Sequence, residues 1–269
     1  MAEIKLKLKK QPTFPLEAEI ITPDNFVGKT AAEIKKLELY MGNTVVKLGD
    51  FFDVSGKSTE IKDTKIIIEG DLKNVKRIGE KMSGGEILIN GNIGMHVGNQ
   101  MKGGKIVVNG NAGDWAGAML KGGELEITGS AGNYVGAAYR GFWVGMENGI
   151  IKVKGKIGNE SMLWARSSKG AGKFPTLFCG EASSFLGMHN HGGTIIVEGN
   201  VDRCTGADQA WGTIVVKGKV KTQLPSYKKM GEVNEIELPN GEKISGKFIE
   251  YSGDHTVKKE TNGRLYIAA

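Results

Sequence analysis

Cysteine is scarce in this chain of 269 residues, where the two thiols belong to Cys179 and Cys204. Two cysteines exclude the disulfide framework of small secreted domains, and an iron–sulfur cluster normally takes four. Proline is also rare, and no apolar run approaches the ~18 residues of a membrane-spanning helix. The first ten residues alternate charged and apolar side chains, unlike the core of a signal peptide. These absences predict a cytoplasmic protein with no membrane partner.

Charge of one sign is only mildly in excess. Lysine and arginine total 36, aspartate and glutamate total 30, and the formal net charge is +6. A solvated surface accounts for such a surplus. Aromatic side chains do not alternate with the lysines as the base-stacking platforms of nucleic-acid proteins require. We therefore expect no nucleic-acid partner.

Glycine, in contrast, is abundant, with 41 residues. This is about twice the average share of ~7% in soluble proteins. There is no Gly-X-Y period, so collagen is excluded. Glycine costs the interior of a helix about 1 kcal/mol relative to alanine, so a helical bundle is also excluded. The glycines must lie in turns, and the number of turns must be large.

The glycines follow an internal repeat of 19 residues. Three consecutive blocks, 84–102, 103–121 and 122–140, align without gaps, each beginning with Gly-Gly. Related units of alternating apolar residues ending in glycine occur at 65–70, 149–155, 193–199 and 212–218. Seven units are thus recognisable, and the longer spacings before the fifth and sixth indicate insertions.

Each unit alternates with period 2, which is typical of a strand with an inner and an outer face. Two columns are apolar in every unit: Ile66, Ile87, Ile106, Leu125, Ile151, Ile195, Ile214; and Ile68, Ile89, Val108, Ile127, Val153, Val197, Val216. The residue between them varies in character: Ile67, Leu88, Val107, Glu126, Lys152, Ile196, Val215. The first two columns are predicted to face a core and the third to face outward.

One strand per repeat cannot bury these columns alone, so neighbouring repeats must stack in register with glycine at the corners. The predicted fold is all-β, a parallel β-helix with about seven coils. Residues 1–60 are predicted to form an N-terminal cap with a strand and a short helix, the latter opened by a Thr30–Glu33 capping box. Residues 61–220 form the β-helix, with an insertion at about 159–192. Residues 221–269 form a C-terminal extension with a hairpin at Asn240-Gly241.

The candidate metal ligands are His96, His189 and His191. Stacked coils could bring all three together, which leaves open a stand-alone enzyme that binds a metal between coils. His96 aligns with Trp115 and Tyr134 in the following repeats, which favours a packing role and no metal on this chain. Cys179 and Cys204 are predicted to be structural thiols, because no local signature accompanies them.

Two surface patterns predict contacts with a partner. The outward apolar residues form stripes that would expose a hydrophobic patch unless the chain's own terminal arms cover them. These residues are Ile67, Leu88, Val107, Ile196 and Val215. A basic column of Lys102, Lys121 and Arg140 repeats at successive corners, where like charges repel unless acids or a partner compensate.

The run 91–141, GNIGMHVGNQMKGGKIVVNGNAGDWAGAMLKGGELEITGSAGNYVGAAYRG, resembles the C subunit of formylmethanofuran dehydrogenase. The segments ITPDNFVGKTAAE (21–33) and LGDFFDVSG (48–56) are similar to the amino-terminal part of that subunit. The glycine-patterned repeat is also similar to the carboxy-terminal domain of the glutamate synthase large subunit. A bacterial formyltransferase/hydrolase complex carries a related subunit.

The resemblance implies a scaffold subunit, without catalytic or cofactor-binding residues, in a complex that reductively fixes CO2 onto methanofuran. This is the first step of methanogenesis from CO2. A tungsten- or molybdenum-pterin subunit, an amidohydrolase-like subunit with a metal centre, and iron–sulfur subunits are the implied partners. The alternative is a scaffold in a formyltransferase/hydrolase or glutamate-synthase-like complex. The resemblance, with the general preference of parallel crossovers, implies a right-handed β-helix. Because methanofuran is rich in carboxylates, Arg166, Lys169 and Lys173 are candidate contacts for its tail.

Overall fold

A computed structural model describes residues 2–167, 172, 174–256 and 261–269, most of which lie in strands and turns. The helices are α1 (Pro23–Phe26), α2 (Ala31–Lys35) and α3 (Leu48–Phe51), and Ile61–Asp63 is a 3₁₀ turn. The strands are β1 (Ala2–Leu8), β2 (Leu16–Glu17), β3 (Glu38–Met41), β4 (Thr44–Lys47), β5 (Phe52–Gly56), β6 (Thr64–Glu69), β7 (Val75–Lys76), β8 (Glu86–Asn90), β9 (Lys105–Asn109), β10 (Glu124–Ile127), β11 (Ile150–Ile157), β12 (Thr176–Ala182), β13 (His191–Val197), β14 (Val201–Arg203), β15 (Trp211–Val216), β16 (Val220–Thr222), β17 (Lys228–Glu237), β18 (Lys243–Ser252) and β19 (Arg264–Ala268). The prediction of an all-β fold is confirmed.

Ten of these strands pair in parallel, in the order β1, β6, β8, β9, β10, β11, β12, β13, β15, β19. The register follows the repeat: Ile66 pairs with Ile87, and Ile87 pairs with Ile106. The two inner columns read from the sequence are buried throughout, with exposed fractions of at most 2%. Antiparallel strands join both ends, so the whole sheet is large and mixed.

The segment 159–192 was expected to interrupt the stack, and this expectation is wrong for its second half. Strand β12 lies there and pairs with β11 on one side and β13 on the other. Leu177 and Cys179 continue the two inner columns. The repeat pattern does not reveal this strand because Pro175 stands before it, where the neighbouring repeats have Gly149 and Gly193. The terminal strands β1 and β19 also extend the parallel series beyond the seven predicted units.

A second line of parallel pairing runs beside the main sheet. It begins as single bridges from Leu72 through Ile93 and Ala112 to Ala131 and continues through the ends of β11 and β12 into β14 and β16. The turns that follow contribute further buried side chains, among them Val97 and Met101. All of these pack into one hydrophobic core with the inner columns. The core therefore receives side chains from several stretches of each repeat.

The chain closes both ends of the stack. At the first end, β5 pairs antiparallel with β1, and Thr30 and Glu33 form the predicted capping box at α2. A small sheet with the order β4, β3, β2, β7 lies beside it. At the other end, β17 and β18 form the predicted hairpin, and β18 pairs antiparallel with β19. None of the described helices is long and apolar enough to cross a membrane.

Candidate functional site

The turn of most repeats holds three left-handed backbone positions: a middle one taken by glycine or by Met162, and two outer ones, four residues apart, taken by other side chains. The first outer position is taken in successive repeats by Arg77, His96, Trp115, Tyr134, Glu160, Phe185 and Cys204. The second outer position is taken by Lys81, Gln100, Met119, Trp164, His189 and Asp208. Left-handed backbone is uncommon for side chains other than glycine and asparagine. Its recurrence places two columns of chemically varied side chains on one face of the stack.

A ladder of one aspartate and two asparagine side chains holds the middle of the first column in place. The side-chain oxygen of Asp114 accepts a hydrogen bond from the backbone N–H of Asn133 at 2.7 Å. Asn133 accepts in the same way from Asn159 at 2.8 Å, and Asn159 from Ser184 at 3.1 Å. Each ladder residue directly precedes a left-handed position. The side chains that follow are therefore stacked at a fixed spacing.

The first column contains an aromatic stack. The ring of His96 lies 6.3 Å from that of Trp115, and Trp115 lies 4.2 Å from Tyr134, with nearly parallel planes. Tyr139 lies over this stack, and its hydroxyl forms a hydrogen bond of 2.9 Å with His96 Nδ1. Burial, and then the positive charges of Arg77 and Lys76, lower the pKa of His96. Burial raises the pKa of Tyr139 to about 12. Both rings are therefore neutral near pH 7.

An ion pair ends this stack. Arg77 Nε and Nη2 donate to the Glu80 carboxylate at 2.6 and 2.9 Å, a bidentate arrangement that fixes both groups. Burial alone would raise the pKa of Glu80, but hydrogen bonds from Arg77 and Asn99 outweigh it, so this pKa lies below its usual range. The pair holds a buried carboxylate in its charged form.

The second column contains another stack. The rings of Trp164 and His189 are 4.2 Å apart and nearly parallel, and His191 lies 5.4 Å from Trp164. His189 Nδ1 contacts the Asp208 carboxylate in the next repeat. The edge of Trp143 packs on Trp164 at 5.1 Å with an interplanar angle of 88°. These residues support the exposed segment that contains Trp143.

The three predicted metal candidates belong to two different ring clusters. His96 contacts Trp115 and Tyr139, whereas His189 and His191 contact Trp164. Among the residues that the structure describes, no group of three or more His, Cys, Asp and Glu side chains is arranged to hold a metal ion. The stacking contacts place all three histidines in packing positions, which the alignment with Trp115 and Tyr134 predicted for His96 alone.

The two thiols are free and occupy different positions. Cys179 lies in an inner column, and burial raises the pKa of its thiol to about 12. A thiol in this state is a poor nucleophile because the thiolate is the reactive form. Cys204 is partly exposed at a left-handed turn position.

The outward column of the main sheet divides into two halves. Ile67, Leu88 and Val107 are half-buried side chains with part of their surface open to solvent. Ile196 and Val215, however, are 1% and 0% exposed. They form a second hydrophobic cluster with Ile236, Leu238 and Phe248 of the C-terminal hairpin and its turn. The expectation that Ile196 and Val215 contact a partner is therefore wrong, because the chain's own hairpin covers them.

A cleft lies at the boundary between these halves. Its volume is about 420 Å³, and its lining includes Glu126, Lys152, Lys154, Phe178 and Glu198. Lys152 Nζ donates to Glu124 Oε1 at 2.8 Å, and Lys105 lies 3.6 Å from the same oxygen. The charges at the boundary therefore compensate one another.

The predicted basic column is interrupted at its third position. Lys102 and Lys121 do stack, since their backbone N–H groups donate to Met82 and Met101 in the preceding repeats. The equivalent bond to Leu120 comes from Glu147. Its carboxylate lies 4.0 Å from Lys121 Nζ, so an acid and not Arg140 continues the column. The seven-residue lengthening of this repeat carries Arg140 away from the corner.

Arg166 stands next in that column, where its backbone N–H donates to Met146, and its side chain is exposed. Lys169 and Lys173, the other candidates for contact with a substrate tail, lie outside the residues that the structure describes. Of these three residues, the structure gives a position only for Arg166, which lies one repeat beyond Glu147.

Comparison with known proteins identifies the family. The C subunit of the tungsten-containing formylmethanofuran dehydrogenase 2 of Methanococcus maripaludis is 42% identical over 273 residues, covering 100% of this chain and 97% of that subunit. The chain belongs to the family of formylmethanofuran dehydrogenase C subunits. The corresponding subunit of Methanothermobacter marburgensis is 55% identical over 98 residues, a match that spans 36% of either chain. The C subunit of the molybdenum-containing enzyme of Methanosarcina barkeri is 48% identical over 98 residues, 36% of this chain and 33% of its own length. No family profile matches the chain.

The family also has a relative of known structure. A chain of the formyltransferase/hydrolase complex from Methylorubrum extorquens, crystallised with methylofuran, superposes with a TM-score of 0.86. The sequences are 25% identical, and the match covers 98% of this chain and 99% of that chain. The relatives from methanogens are named for both tungsten and molybdenum enzymes, so family membership does not distinguish the two metals.

Sequence reasoning missed one feature of this family member, the segment 139–146 with its exposed aromatic residues. The available signal was the break in the period between the block ending at Arg140 and the next strand. Paired residues are 26 positions apart there, for example Leu125 with Ile151. The extra residues form an excursion that Tyr139 and Trp164 hold against the turn face.

Proposed function

We propose that this chain is the non-catalytic scaffold subunit of a formylmethanofuran dehydrogenase, the complex that reductively fixes CO2 onto methanofuran. The observation that carries the proposal is the match to the Methanococcus subunit over the full length of both chains. A chain of a heteromeric complex crystallised with methylofuran also has this fold along almost all of its length. A shared architecture over the whole chain supports a shared position in an assembly.

The proposed architecture of the scaffold is a right-handed parallel β-helix. Parallel pairing in register along the main sheet and the second line of bridges support it. The stacked turns give a further side, where Ile78, Val97, Ala116 and Val135 are buried in successive repeats. Right-handed connection is the general preference of parallel strands. Such a stack is a rigid rod whose surfaces can hold several partners at once.

In the proposed complex, other subunits carry out the chemistry. A tungsten- or molybdenum-pterin subunit would carry the reduction of CO2, an amidohydrolase-like subunit the condensation, and iron–sulfur subunits the electrons. On this chain, His96, His189 and His191 stack on aromatic rings, and His189 also contacts a carboxylate. Side chains held in this way are suited to forming a rigid contact surface.

The open stripe Ile67, Leu88 and Val107 is the proposed docking surface for one partner subunit. The flanking charges are paired within the chain, with Lys65 lying 3.4 Å from Glu86 and Lys105 lying 3.6 Å from Glu124. An apolar stripe between neutralised charges fits an uncharged partner surface. The exposed Lys102 and Lys121 would add a short basic edge toward a second contact.

Arg166 is a proposed contact for the carboxylates of the methanofuran tail. Its side chain is exposed and shares a column with Lys102 and Lys121, which supports a weakly positive track. Charge reversal, Arg166→Glu, should raise the KM for methanofuran in the assembled enzyme while the kcat stays unchanged. An unchanged KM would remove Arg166 from the substrate path.

Co-purification tests the scaffold role. A tagged chain purified from cells that express the whole enzyme should bring down pterin-containing and amidohydrolase-like subunits in a fixed ratio. The purified assembly should form formylmethanofuran, and the free chain should not. Purification as a lone species, or formylmethanofuran synthesis by the free chain, would contradict the proposal.

A scaffold of a formyltransferase/hydrolase complex is the second candidate, favoured by the superposition on a chain of that complex. The two candidates differ in their redox chemistry. Tungsten or molybdenum together with iron in the co-purified assembly would support the dehydrogenase. An assembly free of all three that still moves formyl groups would support the second candidate.

A further inference from the structure

We propose that the segment 139–146, here named the aromatic strap, is a preformed anchor for a partner subunit whose surface offers an apolar socket rimmed by carboxylates. This inference rests on the scaffold role proposed above and concerns a different surface from the open stripe. The strap is the excursion that breaks the 19-residue period. It projects two large side chains, Phe142 and Trp143, which are 57% and 66% exposed.

The strap is fixed at both ends by backbone hydrogen bonds. The Phe142 N–H donates to the Tyr139 carbonyl at 3.0 Å, which makes a tight turn at the start. The Gly145 N–H donates to Trp164 at 2.8 Å, and the Met146 N–H donates to Gly136 at 2.9 Å. An exposed segment with these anchors presents its side chains in one arrangement and loses little conformational entropy on binding.

The rings beneath the strap extend this support. Tyr139 packs 4.8 Å from Trp115 and is bonded to His96, whereas Trp143 packs edge-on against Trp164. Trp164 in turn stacks on His189, which contacts Asp208. Both ring clusters of the turn face therefore hold one segment. The two ring clusters together fix the position of Trp143, as an anchor for a partner would require.

The charge around the strap selects the partner. Arg140 is exposed on the strap, and no acidic side chain pairs with it among the residues that the structure describes. Lys102, Lys121 and Arg166 stand along the neighbouring column, where Glu147 is the one acid and already faces Lys121. Aromatic and arginine side chains are the residues enriched in binding hot spots. A complementary surface would therefore be an apolar pocket with carboxylates at its rim.

The test is competitive incorporation into the native complex. Tagged Trp143→Ala chain and untagged wild-type chain are co-expressed with the other subunits, and the ratio of the two in the purified complex is measured by mass spectrometry. Because a hot-spot residue contributes at least about 2 kcal/mol, we expect the variant to be under-represented by roughly 30-fold. Arg140→Glu should also be under-represented, and its deficit should shrink as salt is added.

The matched control is Phe14→Ala, which removes an aromatic side chain that is 66% exposed and lies outside the strap. It should be incorporated like the wild type. Equal incorporation of Trp143→Ala and wild type, or equal loss with Phe14→Ala, would overturn the proposal. Thermal unfolding of the free variants should match the wild type, and the conservative Trp143→Phe should restore part of the incorporation.

Two further outcomes separate this inference from its premises. If the tagged wild-type chain enters no complex, the proposed scaffold role itself fails. If the free wild-type chain self-associates and Trp143→Ala makes it monomeric, the strap binds a second copy, which contradicts a carboxylate-rimmed partner. Sedimentation of the free wild-type chain as a monomer is the expected result.

Discussion

The two halves of the outward sheet face share one column but have different surroundings. Ile67, Leu88 and Val107 in the first half keep part of their surface in solvent. Ile196 and Val215 in the second half are buried beneath the chain's own hairpin. Outward-facing branched side chains are thus buried in a core in the second half of the sheet and lie at the surface in the first half.

The two halves show two ways in which an apolar sheet face can be shielded from water. The second half is covered in cis by residues such as Phe248, which makes a second core. Ion pairs of Glu124 with Lys105 and Lys152 mark the boundary. The first half has the same apolar character without such a cover from the described residues. We infer that a partner subunit covers the first half in the complex, as the chain's own hairpin covers the second half.

The largest difference is expected from a charge placed in each half. Val215→Asp would bury an unpaired carboxylate and should cost about 3–5 kcal/mol of unfolding free energy, or prevent folding. Val107→Asp, in the same column, should cost less than about 1 kcal/mol because water still reaches the side chain. Denaturant unfolding of the free chain measures both. Similar losses would show that the two halves are equally buried.

A matched truncation in each half measures the same difference in burial without adding a charge. Ile196→Ala removes buried methyl groups from the hairpin cluster and should cost about 2–4 kcal/mol. Ile67→Ala removes the same atoms from the open half and should cost about 1 kcal/mol in the free chain. The difference between the two stability costs should become smaller in the assembled complex if a partner buries Ile67. A cost for Ile67→Ala equal to that for Ile196→Ala in the free chain would show that the two side chains are equally buried.

The smallest effect is expected at the boundary. The hydrogen bond from Lys152 lowers the pKa of Glu124, and Lys152 is 45% exposed, so solvent screens the pair. Lys152→Ala should cost about 0.3–1 kcal/mol at pH 7 and low salt. A lowered carboxyl pKa stabilises the fold above the unfolded value of 4.5, and this contribution is lost as the pH falls through the folded pKa. The difference between variant and wild type should therefore shrink as the pH falls below 4.5 and Glu124 becomes protonated, and a difference that stays constant over that fall would exclude the ion pair as its cause.

Much of the fold follows from the sequence because period 2 and the 19-residue repeat are both local signals. They identified every buried residue of the two inner columns in the seven units. They did not identify β12, where Pro175 replaces a glycine and Cys179 replaces a branched residue. Period 2 also shows that Ile196 faces outward, but it contains no information about which distant segment lies above it.

The site was less predictable for a related reason. Spacing assigned Arg140 to the basic column, but the lengthened repeat substitutes Glu147, and only the backbone path shows which residue continues a column. The aligned positions of His96, Trp115 and Tyr134 did predict their packing role. The strap that covers them lies in the lengthened repeat, and the 19-residue pattern does not predict the structure of the extra residues.

A charge placed in the open stripe tests whether a partner subunit covers this half of the sheet in the assembled complex. Tagged Leu88→Asp chain, whose unfolding free energy is first shown to be close to that of wild type, is co-expressed with the other subunits and untagged wild-type chain. If a partner covers the open half, the variant should be depleted from the purified complex by at least tenfold. Incorporation at the wild-type ratio would show that this half stays in solvent and would contradict cover in trans.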